Sequence, residues 1–492
     1  MSLRKRMARG MLWILLEKVG QQLLTFAVFF ILALLIGPEE FGLAGLCGIV
    51  AAFASFVVFG SADAVISRRI TDSSELSTLF WTILMFGILI SLATFFGADL
   101  LAGVFDEPRL AGMLRALSPL ATIFAASSVP TVLVKARMEF RTFMIRSTVS
   151  TALGGITGIS LALNGYGAYA IIYQQLMQGV VALVILWPAA KWRPRFQFRV
   201  TRLAFVMAPG IKMTGSNFIT FLEQQVPRFA VGAWLGAVHV GFYTLANRLF
   251  QSLLSIIVMP ITTVLYPALS KINDQPERMR WVLRQNIYLA GLLACPAITG
   301  AALLGPDFVH AFLGEKWAPA APVLRIFLVA MAPAPFLLVI REALRSINRA
   351  GLFIKIQLLI TGLILTAILI LAPKGLVAMC WGMAAVSFSM FPVALWWVSR
   401  STDFNLIGDF ARLWGPLLAS AAMVGAIEFA QRAWFGPFPD WAKLSLSVVV
   451  GGAVYVGICI VLNFGQIRSI LKMQRQLKAN GKSADADGEE LS

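Results

Sequence analysis

Leu35-Ile36-Gly37-Pro38-Glu39-Glu40-Phe41-Gly42-Leu43-Ala44-Gly45-Leu46 joins one long apolar run to the next. A variant of it, Trp234-Leu235-Gly236-Ala237-Val238-His239-Val240-Gly241-Phe242-Tyr243-Thr244-Leu245, joins another such pair in the second half of the chain. At one fixed offset Gly37 meets Gly236, Gly42 meets Gly241 and Leu46 meets Leu245. A weaker match pairs Arg141 with Arg349 and Gly167 with Gly375 at a slightly larger offset, as a loop insertion gives. An even number of apolar runs separates the copies, so both have the same orientation. Two such halves are related by a pseudo-twofold axis along the membrane normal, with a shared cavity between them. Glycine also gathers at helix ends without any repeat, which is the competing account of these matches.

The runs on either side of the motif extend over nearly the whole chain. Of 492 residues 59% are hydrophobic and 13% charged, whereas soluble domains carry roughly 25% charged residues. A membrane span takes about 20 apolar residues. Hydropathy and turn signals place about fourteen spans near 11–36, 42–66, 77–105, 111–134, 143–163, 166–190, 205–235, 240–268, 285–312, 318–345, 352–372, 375–399, 409–432 and 441–464. The chain reads as an all-α polytopic membrane protein of two six-helix lobes, 1–202 and 203–400, with two further helices in 401–465. A polar tail, 466–492, has too little apolar surface to fold alone. The basic start (Arg4, Lys5, Arg6, Arg9) followed by apolar residues has the order of a signal peptide. The run is too long and carries Glu17 and Lys18, so it reads as an uncleaved first span.

The net charge of +17 is topological information. Loops on the side of the N-terminus hold about 30 of the 41 Lys and Arg residues and the opposite loops about 6. This bias places both termini in the cytoplasm and removes the reason to invoke nucleic acid. Cys47, Cys295, Cys380 and Cys459 stand singly in apolar stretches, and there are two histidines, so no disulfide framework or metal centre is expected. No nucleophile–base set, phosphate loop or metal-ligand spacing appears, and the outward loops are short. An enzyme is therefore not expected, nor a cofactor.

Polar side chains inside spans are costly and face a bundle interior or a water-filled path. Lys18, Gln21, Gln22 and Thr25 fall on one face of the first span at i, i+3, i+4, i+7 spacing. Asn217, Thr220, Gln224 and Arg228 do the same in the seventh, with Glu223 on the adjoining strip. The repeat's offset carries Lys18, Gln21 and Thr25 onto Asn217, Thr220 and Gln224. For Lys18 cavity lining and snorkeling to the interface stand as equal readings. Asn247 and Arg248, two turns into the eighth span, and Arg325, two turns into the tenth, are either cavity groups or interfacial anchors. Glu223 is the one acidic mid-span candidate for ion coupling. Interhelical polar contact is the alternative for the whole seventh-span set.

Three segments in order, Leu35–Leu46, Gly232–Asn273 (GAWLGAVHVGFYTLANRLF, then VLYPALSKIN) and Leu313–Phe327 (LGEKWAPAAPVLRIF), resemble the Wzx-like and WzxC-like polysaccharide flippases. These belong to the multidrug, oligosaccharidyl-lipid and polysaccharide exporter superfamily. The resemblance covers the chain to about Gln466. It implies a protein of the bacterial inner membrane that moves a polyprenyl-pyrophosphate-linked oligosaccharide from the cytoplasmic to the periplasmic leaflet, for exopolysaccharide or capsule synthesis. The polysaccharide polymerase and export machinery are its implied partners. Two positions depart from the family pattern: Leu34 stands where a basic residue is common, and Pro227 precedes Arg228 where Asp is common. Coupling through that Asp does not carry over. Other readings are a multidrug or cation antiporter of the same superfamily, a flippase for lipid-linked peptidoglycan precursors, and a membrane polysaccharide polymerase.

Overall fold

A computed structural model describes residues 20–62, 73–137, 139–197, 218, 220–272, 274–402, 404–434 and 438–462. Helices α1 to α6 are Gly20–Leu35, Pro38–Ala62, Ser73–Phe96, Arg109–Ala136, Phe140–Leu163 and Tyr169–Ala190. They are followed by α7 (220–235), α8 (Ala237–Ser270), α9 (Pro276–Phe308) and α10 (Ala320–Ser346). The last four are α11 (Ala350–Leu371), α12 (Leu376–Ser401), α13 (Leu406–Ala433) and α14 (Asp440–Leu462). No strand occurs among the described residues. Eleven of the helices are long and apolar enough to cross a membrane; α1, α5 and α7 are the others. In hydrocarbon every backbone polar group must be satisfied within its own segment, which leaves such a composition the helix as its element.

Side-chain contacts establish the alternation of the helices. Glu40, just after the α1–α2 turn, accepts from the backbone of Ala168 between α5 and α6 (2.8 Å). It also pairs with Arg109 after the α3–α4 connection, as Glu39 does at 3.1 Å. Trp317, between α9 and α10, meets Phe41 edge-on at 5.7 Å. Odd-to-even connections thus gather at one end. At the other end Trp81 Nε1 donates to the carbonyl of Arg195 after α6 (2.9 Å), Arg349 before α11 to that of Ser401 (2.5 Å), and Arg284 of α9 to Asp409 of α13 (2.6 Å).

The two halves repeat one packing scheme. α5 packs on α6, α3 on α4, α4 on α6, and α2 on α3 and α4; correspondingly α11 packs on α12, α9 on α10, α10 on α12, and α8 on α9 and α10. α13 and α14 lie outside the scheme against α9: Tyr455 donates to the Leu292 carbonyl (2.7 Å), and Gln431 to Asp307 (2.9 Å).

The repeated motif lies where the halves meet. A Cβ at Gly42 would stand 1.7 Å from the Ala237 carbonyl oxygen, and one at Gly241 would stand 2.1 Å from that of Pro38. At the repeat's offset Gly42 is equivalent to Gly241 and Pro38 to Ala237, so the contact is reciprocal, as at a twofold interface. The glycines are there because two backbones touch. Gly236 has a different reason, its φ of +82°, which a side chain would strain. Gly37 has neither constraint. The weaker match is conformational: Gly167 and Gly375 both have positive φ, +52° and +116°. Trp317 completes the junction. It is 1% exposed and donates Nε1–H to the Ala33 carbonyl of α1 at 3.0 Å.

Candidate substrate cavity between the halves

At mid-depth the halves meet along two lateral seams, α1 with α8 and α2 with α7. The repeat makes Gln22 equivalent to Phe221 and Ser252 equivalent to Phe53. On the α1–α8 seam Gln22 donates to Ser252 Oγ at 3.0 Å. On the α2–α7 seam the equivalent residues are two rings, Phe53 and Phe221, 6.0 Å apart. Phe56 stacks on Phe221 (5.2 Å, 26°), and Phe218 stands 5.9 Å from Phe56. One seam is therefore a polar bond and the other a packed aromatic cluster.

The polar seam borders a cavity of about 580 Å³. Leu23 and Phe26 of α1, Leu253 of α8, Leu304 of α9, Ile427 of α13 and Gly451 of α14 contribute to its almost wholly apolar wall. Its shape comes from α13 and α14, which have no counterpart in the first half and close a groove that α1 and α8 leave open.

Two cations lie between the halves, Arg248 of α8 on the α1 side and Arg228 of α7 facing Gly48 of α2. Arg228 of α7 receives little compensation: Nη1 donates to Gln225 at 3.3 Å, while Nε is buried with no hydrogen-bond partner among the described residues. Arg248 of α8 holds its guanidinium 5.7 Å from the centre of the Phe29 ring, and its Nε is likewise buried and unpartnered. The two guanidinium groups are close enough to repel each other, and Tyr243 lies beside Arg228. No ion pair with a carboxylate engages either among the described residues. Both side chains are half-buried, and each leaves a buried N–H donor without an acceptor among the described residues, a state that costs free energy unless a partner supplies the missing bond. Phe29 and Arg228 are equivalent under the repeat, as are Ile49 and Arg248, so these two cations belong to the second half alone.

The remaining anticipated residues disperse. Glu223 accepts from Gln357 and from Thr361 (3.0 Å) of α11, within the second half. Gln21 is half-buried, and its carbonyl accepts the Thr25 hydroxyl at 2.8 Å. Thr220 and Gln224 are exposed. Gln225, 8% exposed, is the buried amide of this turn. Asn247 is half-buried beside Arg248. Arg325 is exposed and donates to the Ala302 carbonyl of α9 at 3.2 Å; no described contact joins it to Arg228 or Arg248. Lys18 and Asn217 lie outside the described residues, as does the 466–492 tail. Gln225, Ser252 and Phe29 were missed by sequence reasoning. The repeat offset was the available signal, since it sets Ser252 against Phe53 and Phe29 against Arg228.

Comparison with known proteins agrees with this architecture. The family model described as polysaccharide biosynthesis protein matches residues 31–322. The succinoglycan biosynthesis transport protein ExoT of Rhizobium meliloti (strain 1021) is 24% identical over 98% of this chain and 98% of its own. The lipopolysaccharide biosynthesis protein WzxC of Escherichia coli (strain K12) is 27% identical over 67% of this chain and 68% of its own. Among solved structures, the lipid II flippase MurJ in an inward closed conformation superimposes with a TM-score of 0.74, at 13% identity, over 92% of this chain and 99% of that one. An inward-facing multidrug resistance MATE family transporter gives 0.58, at 15% identity, over 80% of this chain and 95% of that one. These two likenesses establish a shared all-helical fold. With the family model covering more than half of its length, this multi-pass membrane chain belongs to the polysaccharide biosynthesis protein family.

Proposed function

We propose that the protein is a flippase that carries a polyprenyl-pyrophosphate-linked oligosaccharide repeat unit across the inner membrane of a bacterium, from the cytoplasmic to the periplasmic leaflet, for exopolysaccharide or capsule assembly. The observation that carries this reading is the pair Arg228 and Arg248, two half-buried cations whose Nε atoms are buried and unpartnered and which have no carboxylate partner among the described residues, in a protein that also holds an apolar groove against α1 and α8. Such a cargo has the same division: a dianionic pyrophosphate with sugars at one end, an isoprenoid chain at the other. The pyrophosphate and hydroxyls would lose hydration in hydrocarbon without replacement. Arg228 and Arg248 neutralise the pyrophosphate, Gln225 and Asn247 offer amides to the sugars, and the chain lies in the groove against α13 and α14. Entry is lateral, on the α1–α8 side, where among the described residues the Gln22–Ser252 bond and the Arg248–Phe29 contact must open; the aromatic α2–α7 seam stays packed. Names of the relatives that specify polysaccharide assembly and transport support the same reading.

Lobes 1–202 and 203–400 rock against each other, closing and opening the reciprocal glycine crossing, and expose the cavity alternately to the two leaflets. The excess of basic residues at the end opposite this crossing supports cytoplasmic termini. The crossing, Trp317 and the Arg109–Glu40 pair then form an outer seal. Glu223, held by Gln357 and Thr361 of α11 and not paired with either arginine among the described residues, is the candidate for coupling to an ion gradient. The reading requires no catalysis by the chain, and the polymerase acts on its product as a partner. The lone mid-span carboxylate against two cations disfavours an antiporter of organic cations.

The test is leaflet-resolved accumulation of the lipid-linked oligosaccharide in a strain depleted of the protein, read with a membrane-impermeant sugar-modifying probe on spheroplasts. The completed unit should stay protected until permeabilisation. Immediate probe access would place translocation elsewhere and favour the polymerase or drug-export reading.

A further inference from the structure

After α6 the chain runs Lys191-Trp192-Arg193-Pro194-Arg195-Phe196-Gln197. Lys191 ends the helix in the left-handed conformation, φ +47°. The segment then crosses back under α3 and is fastened there at one residue from both sides. The backbone N–H of Arg195 donates to Ser77 Oγ (3.1 Å), and its carbonyl accepts from Trp81 Nε1 (2.9 Å). Alternate residues of an extended chain point to opposite faces, and here the alternation is chemical. Trp192 lies edge-on to Phe80 at 5.7 Å, within a cluster that includes Trp187, and Phe196 stacks on Trp81 at 4.9 Å and 25°. Lys191, Arg193 and Arg195 are exposed. None forms an ion pair with a carboxylate among the described residues. Phe196, with one face on Trp81, is still 93% exposed.

We propose that Lys191–Phe196 is a binding site for anionic phospholipid headgroups, a strap that pins the α3–α6 end of the first half to the membrane surface. Tryptophans at the ends of membrane helices mark the depth of the headgroups. At that depth a row of three unneutralised cations faces phosphodiesters, and the free face of Phe196 sits at the acyl boundary. A fixed strap holds one half while the other moves, and it precedes the connection to α7. Only the choice of the cytoplasmic leaflet rests on the proposed orientation; the lipid class follows from the charge.

The test uses the full-length protein in vesicles, with a fluorophore on Gln197→Cys and spin-labelled phosphatidylglycerol or spin-labelled phosphatidylcholine as quencher. Protein without that cysteine gives the background from native cysteines. Phosphatidylglycerol should quench more strongly, and the preference should fall about fivefold for each charge removed, the effect of one basic residue at an anionic surface. Lys191→Gln with Arg193→Gln and Arg195→Gln should abolish it, whereas Arg193→Lys with Arg195→Lys should keep it and show that the segment is intact. Equal quenching by both lipids, or a preference that survives the triple substitution, overturns the proposal. So does complete displacement by soluble pyrophosphate, which would make this a phosphate site for cargo. No step of the assay needs transport, so failure of the flippase reading leaves its outcome unchanged.

Discussion

Adding one methyl group at Gly42 tests the outer seal. The Cβ of Gly42→Ala would stand 1.7 Å from the Ala237 carbonyl oxygen, and that atom is backbone, so no rotamer change relieves the contact. To reach the 3.4 Å at which ordinary contact begins, α2 and α8 must separate by about 1.7 Å where the halves cross. Overpacking of this kind costs about 1–3 kcal/mol. The cost falls on the state in which the crossing is closed, which shifts the balance toward the outward-open state by about 5- to 150-fold. Gly241→Ala should act alike, since its Cβ meets the Pro38 carbonyl at 2.1 Å. Gly37→Ala, with nothing within 4 Å, is the control. The native Cys47, fully buried on α2, reports opening through labelling by a membrane-impermeant maleimide on intact cells. Labelling should rise and polymer output fall in the first two variants, with both unchanged in the third. Wild-type labelling and output in both Gly42→Ala and Gly241→Ala would refute the reasoning that this crossing must open.

Arg228→Gln and Arg248→Gln should each cut polymer output at least tenfold at normal membrane levels, whereas Arg248→Lys, which keeps the charge but weakens the contact with Phe29, should lose about 2- to 5-fold, a cation–π contact outside a fully desolvated site being worth about 0.5–1 kcal/mol; wild-type output from both glutamine variants would remove the cavity assignment. Glu223→Gln keeps an acceptor for Gln357 and Thr361 but discards the charge, so translocation in vesicles should stop responding to collapse of the proton or sodium gradient; an unchanged response would take coupling away from Glu223. Trp317→Phe loses the bond to Ala33 and should lower the stability of the purified protein by about 0.5–1.5 kcal/mol, read from its denaturation midpoint; no shift would mean that the junction does not depend on that bond.

Much of this was legible in the residues. Hydropathy located the described helices, missing the end of α3 and the start of α9 by about two turns, because an apolar run in lipid has no other way to satisfy its backbone. The matched glycines announced a repeat before any contact was known. Helical spacing did less well inside the seventh span. A helix turns 100° per residue, so Gln224 and Gln225, four and three positions before Arg228, both share its face in the sequence, and only packing leaves Gln224 exposed and Gln225 buried. For Arg325 the depth in the span is readable, but its partner, the Ala302 carbonyl, is a backbone group that no side-chain pattern reveals.

By itself the sequence determined the class of protein, the alternation of its spans, the side that holds the positive charge and the presence of two related halves. Each follows from local chemistry, the transfer of side chains and backbone between water and lipid, and such properties accumulate along the chain. The tertiary structure decided which equivalent positions diverge in use. Gln22 with Ser252 and Phe221 with Phe53 occupy matching sites, yet one pair forms a hydrogen bond beside an apolar groove and the other a packed aromatic seam. Where the apolar groove forms depends on α13 and α14 lying against α9 on one side alone, and on contacts between residues hundreds of positions apart. Those contacts are set by the fit of whole surfaces, which no local window contains.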